Sequence, residues 1–163
     1  MRRLRAADEP DFVALMTDSA TTTEFMFDEG QKTIAGARAF FRAITGSYAT
    51  PSPYFLLVIC RRDDPRIIGL CGISNLPGDR IRDCFCCLEI AARGEGYATE
   101  AITGLVDYCF RHDIASEFHL YIDARNHRSI RLAERLGCDV RGPQAHPVTG
   151  DSCLLYVWRL SRQ

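Results

Sequence analysis

The stretch Arg93-Gly94-Glu95-Gly96-Tyr97-Ala98 carries the residue types most suited to chemistry. It precedes an amphipathic segment that reads as a helix, and a helix N-terminus offers unpaired N–H groups and a partial positive charge. Glycines at 94 and 96 clear side chains from those groups, Ala98 keeps the first turn small, and Arg93 adds a delocalised cation. Together they suit phosphate oxygens. Glu95 opposes an anion unless it points to solvent. A GxGxxG fingerprint needs a third glycine where Thr99 stands, and three strands in a meander precede the loop where a βαβ start is required. No Gly-Lys-Ser/Thr follows, so the loop is no Walker motif. A tight turn is the competing reading of Gly-x-Gly before a helix, and the loop alone does not choose between them.

Nucleophiles and metal ligands are less well arranged. The chain has eight cysteines but no CxxC pair. Cys84, Cys86 and Cys87 cluster, yet a strand would turn Cys84 and Cys86 to one side and Cys87 to the other, a poor claw for a tetrahedral metal. Buried, reduced thiols are the expectation, and so is the absence of a metal. Cys109 falls at spacings of four with Ala101 and Leu105, which suits core packing better than a covalent acyl-cysteine. Lys32 is the only lysine and lies in a polar stretch, so lysine chemistry is set aside. His146 and Asp151 flank the last turn and either line a pocket or form the turn itself.

A chain of 163 residues with 47% hydrophobic and 25% charged side chains fits one domain spanning residues 1–163. A formal net charge of -1 supplies no global field for nucleic acid or an anionic membrane, so neither is an expected partner. No apolar run approaches the roughly 20 residues of a spanning helix, and no apolar segment follows the early arginines as a signal peptide would. The cytoplasm is the expected location, with the chain a monomer or homodimer.

Periodicity and punctuation give the element order. Residues 2–6 read as a strand, and Asp8 as the cap of a helix carrying Phe12, Leu15 and Met16. Residues 21–31, with Phe25-Met26-Phe27, read as a loop folding over something. A helix over 33–48 follows, ended by Pro51 and Pro53. Strands over 54–61, 67–76 and 82–90 form an antiparallel meander. Then come a helix from the glycine turn to about 112, a strand over 117–123, a helix over 126–136 stopped by Gly137, and strands over 139–145 and 152–160. The result is a mixed sheet with helices on both faces, in which the strand over 82–90 and that over 117–123, joined by a helix, are parallel neighbours.

Arg93-x-x-Gly96-x-Ala98 resembles the acetyl-coenzyme A signature of the GNAT N-acetyltransferase superfamily. Asn126-x-x-Ser129 with Glu134-Arg135-Leu136-Gly137 is similar to a second stretch of that superfamily, with Cys138 in place of the usual aromatic. The wording Gly-Tyr-Ala-Thr-Glu-Ala resembles the RimJ/RimL-like branch, which acetylates α-amino groups of proteins and, in relatives, small amines. The resemblance implies an α/β (α+β) GNAT-like fold of about seven strands and four helices, with a V-shaped split between the fourth and fifth strands.

It also implies acetyl-coenzyme A (acetyl-CoA) as cosubstrate. By position, Leu88, Glu89 and Ile90 would pair with pantetheine and one of their N–H groups would polarise the thioester. Gly94, Glu95, Gly96, Tyr97 and Ala98 would bind the pyrophosphate beside Arg93, and Asn126 and Ser129 would contact the cofactor, with Arg128 and Arg131 as possible phosphate contacts or a plain exposed face. The implied reaction is direct attack by a neutral amine, from a protein N-terminus or a small molecule. Glu89 is the leading base and His119 the second, against a surface-facing role for Glu89 and a structural one for His119. Glu24, Asp28 and Glu29 are candidates to attract a cationic acceptor. The superfamily's usual acidic tyrosine is replaced by Ala133, which leaves the acid unassigned. A non-catalytic acyl-coenzyme A-binding module and a zinc domain using cysteines with His112 or His119 are the competing readings.

Overall fold

The computed structural model describes residues 1–23, 28–78 and 80–159. Five α-helices and six strands are formed among the described residues. Helix α1 (Glu9–Thr17) carries its proline at the first turn, where a missing N–H costs nothing, and buries Phe12, Leu15 and Met16. A single turn, α2 (Ser19–Thr22), starts on the Asp18 carboxylate, which accepts from Ala20 N–H. Helix α3 (Ile34–Ser47) begins where the Thr33 hydroxyl accepts from Gly36 N–H, and buries Ala37, Phe41 and Ile44.

The strands are β1 (Phe55–Cys60), β2 (Ile67–Asn75), β3 (Ile81–Leu88), β4 (Glu117–Ile122), β5 (Asp139–Ala145) and β6 (Ser152–Arg159). They are hydrogen-bonded in the order β1-β2-β3-β4-β6-β5. Helix α4 (Tyr97–Arg111) links the parallel pair β3 and β4, and α5 (His127–Arg135) follows β4. The sheet is mixed, as expected: β4 and β5 each run antiparallel to β6. The parallel register covers Ile81 to Asp83 against Glu117 to His119 and ends there. On its other side β4 pairs with β6 along its whole length.

Met1–Gly72 with Cys86–Ala98 forms one compact unit, and Ile73–Phe85 with Thr99–Gln163 another. The first is built on Phe12, whose ring meets Phe41 edge-on at 5.5 Å, with fully buried Met16, Ile44, Val58, Ile68 and Leu70. Gly69 is obligatory in that unit, because a Cβ there would lie 2.3 Å from the Cys87 carbonyl oxygen. The second unit is built on Phe118, packed edge-on against Phe110 at 5.3 Å, with Leu105, Val106 and Cys109 buried. Cys109 is therefore a core residue, as its spacing predicted. No helix among the described residues is long and apolar enough to cross a membrane.

Several expectations are corrected. The first strand reduces to one bridge, in which Arg2 and Val58 exchange N–H···O bonds of 3.1 and 2.9 Å. Asp8 explains why. Its carboxylate does not cap α1 but turns back to accept from Arg5 N–H at 2.6 Å and from both Arg2 nitrogens at 2.6 and 2.9 Å. That pulls residues 6–8 into a 3-10 turn, so six strands replace seven. The third strand ends at Leu88, because residues 90–92 close a 3-10 turn on the Glu89 and Ile90 carbonyls. The loop expected over 21–31 holds the end of α2 and a 3-10 turn at Glu29–Lys32; Glu24 and Phe25-Met26-Phe27 lie outside the described residues.

Asp8 is 7% exposed. Burial pushes its carboxyl up, but the Arg2 and Arg5 hydrogen bonds outweigh this and hold it below the ordinary range. Such a group adds stability above its unfolded value that disappears as pH falls through its folded value. Asp8→Asn is expected to cost about 1–3 kcal/mol at pH 7. In urea unfolding, the gap from the wild type should close as pH drops below 3.8.

Candidate functional site

The exit from β3 is fixed by three bonds. Glu89 N–H donates to Ile68 O at 2.9 Å. Arg93 Nε donates to Leu88 O at 3.0 Å and its Nη2 to Thr21 O at 3.2 Å. Arg93, expected to add a cation beside a phosphate, thus spends its guanidinium on backbone carbonyls and ties α2 to the end of β3. The chain then passes Gly94 at φ 89° and Gly96 at φ 84°, left-handed conformations that favour glycine, and enters α4. A Cβ at either glycine would meet nothing within 4 Å, so the space over them is open.

Among the described residues, no hydrogen bond is made by the N–H groups of Gly94, Glu95, Gly96, Tyr97 or Ala98. The start of α4 therefore presents a run of bare donors under open space, the chemistry that a diphosphate requires. Charge beside them comes from a residue that the sequence did not mark. Arg61 lies with its guanidinium carbon 5.8 Å from the centre of the Tyr97 ring. It also lines a surface cavity of about 370 Å³ with Arg62 and Pro65. Arg61 is 36 positions before Tyr97 and belongs to no local motif, so only the folded unit reveals it.

Of the residues expected to meet pantetheine, Glu89 has its N–H bound to β2, while Ile90 N–H has no partner among the described residues. The Glu89 carboxylate, expected to be the leading base, is gripped by Arg66 in two hydrogen bonds of 3.0 and 2.7 Å. Asn126 caps α5, its Oδ1 accepting from Ser129 N–H at 3.0 Å. That cap is what the Asn-x-x-Ser spacing encodes, and it leaves the Asn126 amide hydrogens available. Ala133 is fully buried.

His119 Nε2 lies 2.5 Å from Glu117 Oε1, and its Nδ1 lies 3.4 Å from the Tyr121 hydroxyl. Burial pushes the Glu117 carboxyl up, but hydrogen bonds from Arg159 and His119 outweigh this and hold it below the ordinary range. His146 and Asp151 form the last turn: His146 N–H donates to Asp151 O, and His146 Nδ1 accepts from Val148 and Thr149 N–H. Asp28 accepts from Gly30 N–H and Glu29 pairs with Lys32, so both serve their own turn.

Burial holds several cysteines as thiols. Burial pushes Cys87 up to about 12, and Cys109 and Cys138 up to about 11. Among the described residues no three potential ligands gather around a metal position, and His112 stacks on Tyr108 with ring centres 4.3 Å apart.

A family model described as an acetyltransferase (GNAT) domain matches residues 1–139. The chain belongs to the GNAT acetyltransferase family. Solved structures agree on the fold. A GNAT-family acetyltransferase from Bacillus anthracis superposes with a TM-score of 0.79 at 16% identity, over 97% of this chain and 92% of that one. The ribosomal-protein-S5-alanine acetyltransferase of Vibrio fischeri gives 0.78 at 14% identity, over 98% and 92%. The protein yncA of Salmonella typhimurium, solved with its cofactor acetyl-CoA, gives 0.72 at 18% identity, over 99% and 94%. A search of curated protein sequences finds no match.

In this GNAT domain the signature arginine thus also holds backbone together. Arg93→Ala is expected to lower stability by about 1–3 kcal/mol, the cost of leaving part-buried carbonyls without a charged donor. Urea unfolding without ligand measures this, and a purely anion-binding arginine would leave that stability unchanged.

Proposed function

We propose that this GNAT domain moves the acetyl group of acetyl-CoA to a primary amine, a protein N-terminal amine or a small-molecule amine, by direct attack within a ternary complex. We place it with the RimJ/RimL-like branch on the Gly-Tyr-Ala-Thr-Glu-Ala wording, and the Vibrio fischeri relative's action on a ribosomal protein is consistent with that. The observation that carries the proposal is the run of unbonded N–H groups from Gly94 to Ala98 beneath open space. These donors suit the pyrophosphate, and Arg61 supplies the neighbouring positive charge.

Ile90 N–H takes the role of polarising the thioester carbonyl, since Glu89 N–H is committed to Ile68. The amide hydrogens of Asn126 and the hydroxyl of Ser129 remain for the cofactor. The Glu89 carboxylate is less available to an amine than its position suggested, because Arg66 occupies both of its oxygens. That pairing, with Ala133 at the usual tyrosine position, is also what favours a second reading, an acyl-CoA-binding module without catalysis.

Calorimetric titration with acetyl-CoA, followed by thiol release with a panel of amines and N-terminal peptides, separates the two. Binding with turnover supports the enzyme, and binding without turnover supports the module. Gly96→Val should weaken acetyl-CoA binding at least about tenfold, or 1.4 kcal/mol. Its strained left-handed backbone should cost only about 1–2 kcal/mol of fold stability. Unchanged affinity in this variant refutes the pyrophosphate placement.

A further inference from the structure

One face of β4 holds an ordered polar chain along the whole strand. Arg159 Nε donates to Glu117 Oε2 at 2.5 Å, Glu117 Oε1 meets His119 Nε2 at 2.5 Å, and His119 Nδ1 faces the Tyr121 hydroxyl at 3.4 Å. Strand alternation puts Glu117, His119 and Tyr121 on one half-buried face while Phe118, Leu120 and Ile122 enter the core. The carboxylate fixes the tautomer: an acceptor-only Glu117 requires the proton on Nε2, so the neutral ring keeps its lone pair on Nδ1, toward Tyr121.

The other histidine is set the opposite way. His146 Nδ1 accepts from two backbone N–H groups, so its neutral ring carries the proton on Nε2, 3.9 Å from Asp83 Oδ2. Its lone pair is engaged by the backbone and does not face Tyr121. Its ring packs against that of Tyr121 at 4.7 Å, nearly perpendicular, and steadies the phenol. The Asp83 carboxylate accepts from Ser74 Oγ at 3.3 Å and has no charged side chain within hydrogen-bonding distance among the described residues. Burial first, then the charge of Asp83, raises Tyr121 above its ordinary value, so the hydroxyl is protonated at neutral pH.

Tyr121 lies beyond the point at which the parallel register with β3 ends, at His119. The carboxyl ends of parallel strands are where sheets of this kind receive ligands. Resting on acetyl transfer to an amine, we propose that Tyr121 takes the proton from a cationic primary amine drawn by Asp83 and relays its own proton to His119, which Glu117 positions. An ammonium N–H proton passes to Tyr121 Oη as the phenol proton passes to His119 Nδ1, giving a neutral amine and an imidazolium beside Glu117. The amine nitrogen then bonds to the acetyl carbon, the carbon–sulfur bond breaks with its electron pair on sulfur, and the coenzyme A thiolate takes the second nitrogen proton. His119 returns its proton to solvent.

Tyr121→Phe and His119→Asn test the relay by thiol release with the best amine of the panel. Each should lower kcat/KM about 10²-fold or more at pH 7, with acetyl-CoA affinity in titration unchanged within about twofold. The double variant should be no worse than the poorer single one, as expected of residues acting as a unit. The loss should shrink as pH rises above the pKa of the acceptor amine, when solvent supplies the neutral nucleophile, a dependence that a merely structural role would not produce. Glu117→Gln should give a smaller loss with the same pH trend. Should Tyr121→Phe fail to fold, His119→Asn carries the same test. Wild-type turnover with both single variants within twofold at pH 7, or a loss independent of pH, overturns the relay and leaves acetyl transfer standing. Acetyl-CoA binding with no turnover by the wild type overturns both.

Discussion

The guanidinium of Arg93 is the constraint on which the start of α4 depends. It holds Leu88 O and Thr21 O together, so the chain leaves β3 in one direction and reaches the two left-handed glycines with its N–H groups unspent. Charged hydrogen bonds of this kind contribute about 1.5–3 kcal/mol each, whereas an exposed ion pair contributes about 0–1. An arginine at this position therefore does more for the fold when turned inward than when reaching for solvent. Positive charge beside the loop comes instead from Arg61, whose guanidinium lies over the face of Tyr97. Gly69 belongs to the same device, because only a residue without Cβ lets β2 approach the Cys87 carbonyl just before the exit.

The two glutamates near candidate chemistry differ in how their charge is compensated. Glu89 is held by Arg66 from the neighbouring strand's start, a bidentate pairing that uses both carboxylate oxygens on one planar cation. Glu117 divides its oxygens, one to Arg159 and one to His119. The first arrangement spends both carboxylate oxygens on one cation, and the second orients a ring whose far nitrogen keeps its lone pair. Position in the sequence favoured Glu89, whereas the donors around each carboxylate favour the glutamate two residues before His119.

Features made within one turn of chain were legible in the sequence. Helices begin at the punctuation near 33 and 126, the glycine turn opens α4, and apolar spacing placed Phe12, Leu15, Met16, Leu105 and Cys109 in the core. What escaped was long-range partnership. Arg93 binds a carbonyl 72 residues away and Glu89 an arginine 23 residues away, and no periodicity records such pairs. The first strand failed for a related reason. The carboxylate of Asp8 competes for the same backbone and converts the segment into a turn after one bridge.

Ala133 bears on why the proposed relay hydroxyl lies on β4 and not on α5. Ala133 is the buried residue of a short helix whose other residues are half-buried or exposed, so it sits where α5 meets the core. A tyrosine there would overfill that contact, at a typical cost of about 1–3 kcal/mol, unless the helix moved outward. Strand β4 faces no such conflict. Its core face is satisfied by Phe118, Leu120 and Ile122, and every second position is left for polar work. Three such positions in a row carry a carboxylate, an imidazole and a phenol, in the order that points a basic nitrogen at a hydroxyl. A helix that packs through alanine offers the thiolate no side-chain acid there, a proton that the attacking nitrogen supplies in the proposed step, while a strand with a spare face carries the proposed relay that deprotonates the amine.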